Sequence, residues 1–272
     1  MQHFLANPKE MYGSLWRHRD LIVASVKRDV LGRYRGSALG LLWSFLNPLL
    51  MLAVYTFVFS NIFKSRWPGS TDSKSEFALV LFPGLIIFSI FSECINRAPG
   101  VIVVHANYVK KVVFPLEILP FVSVISAMFH GAISFFVWVV AYVFLVGVPP
   151  ATVIYFPLIM LPFLFFLMGL SWFLASLGVY LRDVAQLIGM ATAVLMFLSP
   201  VFYPAASLPE EYRYLLYLNP ITLVVEQVRA VLYFGAQPDA DLLTVYIVSS
   251  ALAAWLGFLW FQKTRRGFAD VL

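Results

Sequence analysis

Few side chains in this sequence have the type and spacing that covalent chemistry needs. His130 stands in an apolar stretch, and Cys94 is the single cysteine, so no intrachain disulfide can form. No Cys/His cluster has zinc-site spacing, and neither His-Glu-x-x-His nor Gly-x-Ser-x-Gly occurs. No glycine is followed directly by lysine, which removes the phosphate-cradling Gly-x-x-x-x-Gly-Lys-Ser/Thr loop. A membrane enzyme clusters ionisable groups inside its spans, and these apolar stretches hold almost none. His130 is read as a side chain bonded to a neighbouring helix in preference to a proton relay. The expectation is a non-enzyme with no metal and no cofactor of its own.

The remaining polar residues can bind. Of the 19 Lys and Arg, seven fall in the first 35 residues, three within 96–114, one at Arg182 and three in the tail at Lys263, Arg265 and Arg266. Spread over the ends and one loop, they do not form the single basic face that nucleic acid requires, so nucleic acid is not an expected partner. They do suit anionic lipid headgroups. The aromatic residues, 26 Phe, 13 Tyr and 7 Trp, mostly sit at span ends as interfacial belts do. Trp43, Tyr55, Phe59, Trp138 and Phe197 fall mid-span. Each is either a packing or lipid-facing residue or part of an aromatic-lined pore, which offers apolar platforms to sugar rings without fixed charge.

The elements that position these residues follow from composition. The chain is 61% hydrophobic and 12% charged, with a mean hydropathy of +0.85, against roughly 25% charged in a soluble domain. Lipid must be its main solvent. Apolar runs predict six spans, at about 38–63, 77–95, 115–146, 151–181, 184–202 and 242–261. The first contains Asn47-Pro48, expected to kink it, and the third and fourth exceed a simple crossing. Within 9–36, Leu15, Ile22, Val23, Val26, Val30 and Tyr34 share one helical arc and Arg17, Arg28 and Arg35 the opposite one, which predicts an amphipathic helix in the headgroup plane. Gly32, Gly36 and Gly40 recur every four residues, for close helix approach or for a bend. The stretch from Asn219-Pro220 to Phe234 carries Glu226 and Arg229 and is too short and too charged to span, so it reads as re-entrant. Fourteen basic residues lie on the side of the termini and five on the other, which places both termini in the cytoplasm. No removed signal peptide is expected. The fold class is an all-α integral membrane protein with an interfacial helix over 1–36, a transmembrane domain over 37–262 and a tail over 263–272.

Three stretches together resemble a known family. They are Arg28-Asp29-Val30-Leu31-Gly32-Arg33-Tyr34-Arg35-Gly36 running into Trp43 and Asn47-Pro48; Tyr180-Leu181-Arg182-Asp183 followed by Leu198-Ser199-Pro200-Val201-Phe202-Tyr203-Pro204; and Leu208-Pro209, then Leu218-Asn219-Pro220 and Glu226-x-x-Arg229. Over nearly the whole length, the chain resembles ABC-2 type permease subunits of the branch that exports O-antigen, capsule and teichoic acid. The resemblance implies a homodimer of permeases in the bacterial inner membrane with two copies of a separate ATPase, which would carry the ATP and magnesium. It implies a lipid-linked glycan as substrate and a coupling helix within 96–114, with Arg97, His105, Asn107, Tyr108 and Lys110 near the ATPase. Spans one and five would line a channel, for which Trp43, Tyr55, Phe59, Phe197, Phe202 and Tyr203 are the candidates. Arg33 and Arg35 would meet the lipid headgroup. Residues 205–234 would form a periplasmic gate built on Asn219, Pro220, Glu226 and Arg229. An ABC-2 exporter of a drug or small lipid is the alternative. An ion-coupled carrier would need intramembrane carboxylate pairs or an inverted repeat, and neither is read in the sequence.

Overall fold

The computed structural model describes residues 7–58, 67, 74–110 and 114–272, and no strand occurs among them. Helix α1 (Pro8–Arg17) opens with proline at its first position, and the Asn7 side chain accepts from the Glu10 amide at 2.7 Å, which caps an otherwise orphaned donor. The chain breaks at His18, whose Nδ1 lies 2.8 Å from the Ser14 carbonyl, and restarts as α2 (Arg19–Arg33). The single interfacial helix expected over 9–36 is therefore two helices. On α2, Ile22, Ser25, Val26, Asp29, Val30 and Arg33 recur at three and four residues and form one packed stripe. Ile22 packs with Ile118 and Val122. Val23, placed by periodicity on the apolar arc, is 67% exposed. Gly36 and Gly40 adopt φ of 86° and 51°, and a Cβ at Gly32, Gly36 or Gly40 would meet nothing within 4 Å. The four-residue spacing thus serves the turn out of α2 and not a helix contact.

A 3₁₀ turn at Gly40–Leu42 leads into α3 (Trp43–Phe57), which keeps Pro48 inside one helix. Then come α4 (Lys74–Arg97), a 3₁₀ turn at 98–100, α5 (Val101–Val104), α6 (Ala106–Lys110), α7 (Ile118–Leu145), α8 (Phe156–Tyr180), α9 (Val184–Leu198), α10 (Glu210–Leu218), α11 (Pro220–Leu232), α12 (Ala240–Thr264) and α13 (Phe268–Val271). Five stretches are long and apolar enough to cross a bilayer: Gly40–Phe57, Glu76–Val104, Ile118–Leu145, Ala151–Tyr180 and Ala240–Val271. The fifth span expected from sequence, α9, has 15 residues and so reaches only about 22 Å, short of the ~30 Å hydrocarbon core. Its end is met instead by α10 and α11, which bend by 100° at Asn219. Pro220 starts α11, and the Ile221 amide donates to Asn219 Oδ1 at 3.0 Å, so the Asn-Pro pair both stops one helix and caps the next.

Helix α4 is the centre of the bundle: 78% of its apolar window is buried, against 6% for α3. Pro83 lies inside α4 and cannot donate to the Leu79 carbonyl. The buried Trp138 indole of α7 takes that carbonyl at 2.9 Å. Helices α8 and α12 touch backbone to backbone, because a Cβ on Gly169 would fall on the Ala253 carbonyl and one on Gly257 on the Gly169 carbonyl. Beside this crossing Trp172 and Phe258 pack edge to face at 5.1 Å.

Both described chain ends meet at one end of the bundle, through Glu117. Its carboxylate is buried and accepts from Ser14 Oγ of α1 at 2.8 Å and from Arg265 Nη1, just past α12, at 2.7 Å. Its carbonyl accepts from the Trp172 indole at 2.8 Å. At the opposite end, Thr152 Oγ1 donates to the Val231 carbonyl at 2.6 Å and Tyr233 OH to Glu76 at 3.1 Å.

Candidate translocation groove and its two charged ends

A cavity of about 620 Å³ opens between α3, α4, α7 and α9. On α4, Leu85, Ser89, Ser92 and Asn96 recur at helical spacing and face it, the one stripe of this central helix that is not packed away. Ser44, Asn47 and Tyr55 of α3 form the opposite wall. Several of these polar groups donate to their own helix: Ser44 Oγ to the Leu41 carbonyl at 2.6 Å, and Asn96 Nδ2 to the Ser92 carbonyl at 2.8 Å. Their oxygens therefore keep acceptor capacity toward the space. The groove offers hydroxyls, amides and aromatic faces along most of its length and concentrates charge at one end.

The candidate lining residues separate. Tyr55 lies 6.1 Å from Phe202, and Phe202 lies 6.3 Å from Phe197, with Tyr203 OH donating to the Phe197 carbonyl at 3.2 Å. These four form one aromatic corner, in which Phe197 stays 71% exposed. Trp43 is half-buried at the other end of α3 and is not part of that corner. Phe59 lies outside the described residues.

At the end nearer α2, Glu93 of α4 gathers three cationic side chains. Oε1 accepts from Arg33 of α2 and from Arg97 at 3.5 Å, and His130 Nδ1 lies 3.1 Å away. Arg97 Nη2 also donates to Asp29 of α2 at 2.6 Å. The pairs fix α2 against α4 and α7, with Arg33 still half exposed at 49%. His130 does bond a neighbouring helix, as its isolation in the sequence suggested. Arg35 is exposed beyond this cluster.

At the far end Arg229 is 2% exposed. Nε donates to the Val80 carbonyl at 3.0 Å, Nη2 to the Pro200 and Val201 carbonyls at 3.1 Å each, and Nη1 to Glu226 at 3.3 Å. Trp67 covers the guanidinium at 4.3 Å, a cation–π contact. Val80 lies one turn before Pro83, where the helix ladder is interrupted, and Pro200 just follows α9. Arg229 thus satisfies backbone acceptors that two helices cannot satisfy themselves. Gly84 makes room for it, since a Cβ there would stand 2.9 Å from Nη2. Asn219 Nδ2 adds a bond to Ser199 Oγ at 2.8 Å.

The model of ABC-2 type transporters matches residues 20–233, which spans α2, the groove and both charged ends. The chain belongs to the ABC-2 type transporter family. Similar to this ABC-2 chain are the O-antigen export system permease protein RfbA of Myxococcus xanthus, 29% identical over 94% of this chain and 96% of that protein, and the capsule polysaccharide export inner-membrane protein CtrC of Neisseria meningitidis, 26% identical over 82% of each. The polysialic acid transport protein KpsM of Escherichia coli is 22% identical over 86% of this chain and 90% of that protein.

In this ABC-2 chain the expected coupling segment is a run of short helices. His105 stacks on Tyr108 at 5.4 Å and Tyr108 on Phe114 at 4.4 Å. Asn107 and Lys110 are exposed. Arg97 does not join them; it still belongs to α4 and turns to Asp29 and Glu93. Sequence reasoning missed Asp29, Glu93 and Glu117 as site residues. Glu93 carried a signal: an acid inside an apolar stretch, four residues before Arg97, is a helical ion pair by spacing. Glu117 carried none, because its partners Ser14 and Arg265 are 103 and 148 residues away.

Proposed function

We propose that this chain is the permease subunit of an ATP-driven exporter that moves a lipid-linked polysaccharide of the O-antigen, capsule or teichoic-acid type across the bacterial inner membrane. The carrying observation is the groove. It offers a stripe of hydroxyl and amide groups opposite Tyr55, which suits sugar rings and holds no fixed charge along its middle that would trap them. The named activities of the relatives favour a polysaccharide over a drug or small lipid.

With no phosphate-binding loop in the sequence, the energy must come from a separate ATPase chain that binds ATP and magnesium. Two permeases with two ATPases form the working unit in this reading, and the exposed faces of α3 and α9 turn toward the channel between permeases. The exposed Asn107 and Lys110, with the His105–Tyr108–Phe114 stack behind them, receive the push when the ATPases close. Both termini lie in the cytoplasm, where most of the basic residues gather. Force reaches α7, α8 and α12 through Glu117, and α10 with α11 gates the periplasmic exit.

Proteoliposomes holding the permease and its ATPase test this. Lipid-linked glycan added on the ATPase side becomes protected from an external glycosidase only with hydrolysable ATP. Protection that persists with a hydrolysis-dead ATPase overturns the reading.

A further inference from the structure

The groove's charged end has a geometry that its own residues do not complete. Glu93 Oε1 faces Arg33, Arg97 and His130 together, while Oε2 has His130 alone, at 3.2 Å. His130 Nδ1 lies 2.9 Å from Arg33 Nη1 as well as beside Glu93. Arg33 can only donate, so Nδ1 must accept from it; the contact with the carboxylate needs Nδ1 to donate. One nitrogen cannot do both. In either tautomer, Nε2 is buried with no partner. Asp29 is committed to Arg97 through the other guanidinium nitrogen, and Arg33 is half exposed at the mouth of the cavity. Two guanidiniums and an imidazole therefore converge on one carboxylate that holds them imperfectly.

We propose that this end of the groove is a phosphate or diphosphate site, with Glu93 as an internal placeholder for the anion. A diphosphate offers several acceptor oxygens to Arg33, Arg97 and His130, which one carboxylate oxygen cannot, and it lets His130 keep a single donating role. The first sugar attached to that diphosphate would lie against Tyr34 and the Ser89–Asn96 stripe; a cavity of about 620 Å³ is of the size that holds such a head. On arrival Glu93 swings from Arg33, so α2 exchanges its grip on α4 for a grip on the ligand. The inference rests on the export reading, and it names the part of the substrate that the charged end takes.

Equilibrium binding of farnesyl diphosphate to the permease–ATPase complex in neutral-lipid nanodiscs, without ATP, tests it. Glu93→Gln removes the competing charge and is expected to tighten binding about tenfold, whereas Arg33→Gln weakens it about tenfold and Arg33→Lys less. Inorganic pyrophosphate is expected to compete and farnesol not to. Unchanged affinity in both Glu93→Gln and Arg33→Gln overturns the proposal, as does binding that farnesol displaces equally well. Full loss of farnesyl diphosphate binding in nanodiscs rich in phosphatidylglycerol also overturns it, since the site would then belong to bulk lipid headgroups. Thermal unfolding of each variant separates lost binding from lost fold. Binding that ignores the variants while wild-type transport proceeds sinks this inference alone. Binding as predicted beside absent glycan transport sinks the export reading instead.

Discussion

Arg33 and Arg229 sit at opposite ends of one groove and use the same guanidinium in different ways. Arg229 is buried and donates mainly to main-chain carbonyls from α4 and from the segment after α9. Arg33 is half exposed and faces side chains, a carboxylate and an imidazole, that can rotate away. Carbonyls at interrupted helix ends are fixed acceptors, and leaving them unmade in an apolar setting costs free energy in every state. Exposed ion pairs hold loosely and exchange. The chain thus spends one arginine on architecture and keeps the other available, although both are lone cations beside apolar helices in the sequence.

Substitutions can break that contrast, and the largest effect belongs to Arg229. Arg229→Ala strands the Val80, Pro200 and Val201 carbonyls and is expected to destabilise the fold by about 3–5 kcal/mol. Arg229→Lys should recover little, because one ammonium cannot span those acceptors. Thermal unfolding in detergent reads this, and melting at the wild-type temperature would show that the hub is not structural. Glu117→Ala should cost about 3 kcal/mol, because Arg265 loses its buried carboxylate partner; limited proteolysis should then release the C-terminal tail first. Arg33→Gln should change stability by less than about 1 kcal/mol yet lower the rate of glycan transport. Equal thermal shifts for Arg33→Gln and Arg229→Ala would erase the difference between the two ends.

The smallest effect concerns pH. Burial alone would raise the Asp29 carboxyl, but the hydrogen bond and charge of Arg97 outweigh it and hold Asp29 below its ordinary value. A lowered folded pKa contributes stability that is complete above the unfolded value, about 4, and is lost only as pH falls through the folded one. The docking of α2, followed by a disulfide engineered between α2 and α7, should therefore be unchanged from pH 8 to 5. Weakening already at pH 6 would mean that Asp29 does not govern it.

The sequence made much of this visible because lipid imposes strong rules. Spans free of charge, the Asn219-Pro220 break and basic ends all follow from what hydrocarbon excludes. Periodicity located α2 but misplaced part of its face. Val23 fits the apolar arc and is exposed, while Ser25, Asp29 and Arg33 break the apolar pattern and are packed, because their partners on α4 and α7 are polar too. The role of Arg229 was hidden for another reason. A gate residue was expected there, but its partners are main-chain carbonyls exposed by Pro83 and Pro200, and backbone acceptors leave no mark on side-chain patterns. The shortness of α9 likewise follows from what meets its end and not from its own residues.

The central claim is that the polysaccharide passes along the Ser89–Asn96 stripe of α4. The single native cysteine, Cys94, is fully buried, so a cysteine at the exposed Ser89 position can be labelled against a silent background. With the ATPase partner present and a glycan stalled in transit by a bulky end group, maleimide labelling of Ser89→Cys should be blocked, and it should return when the glycan is released. Labelling at the same rate with and without the stalled glycan would contradict the account.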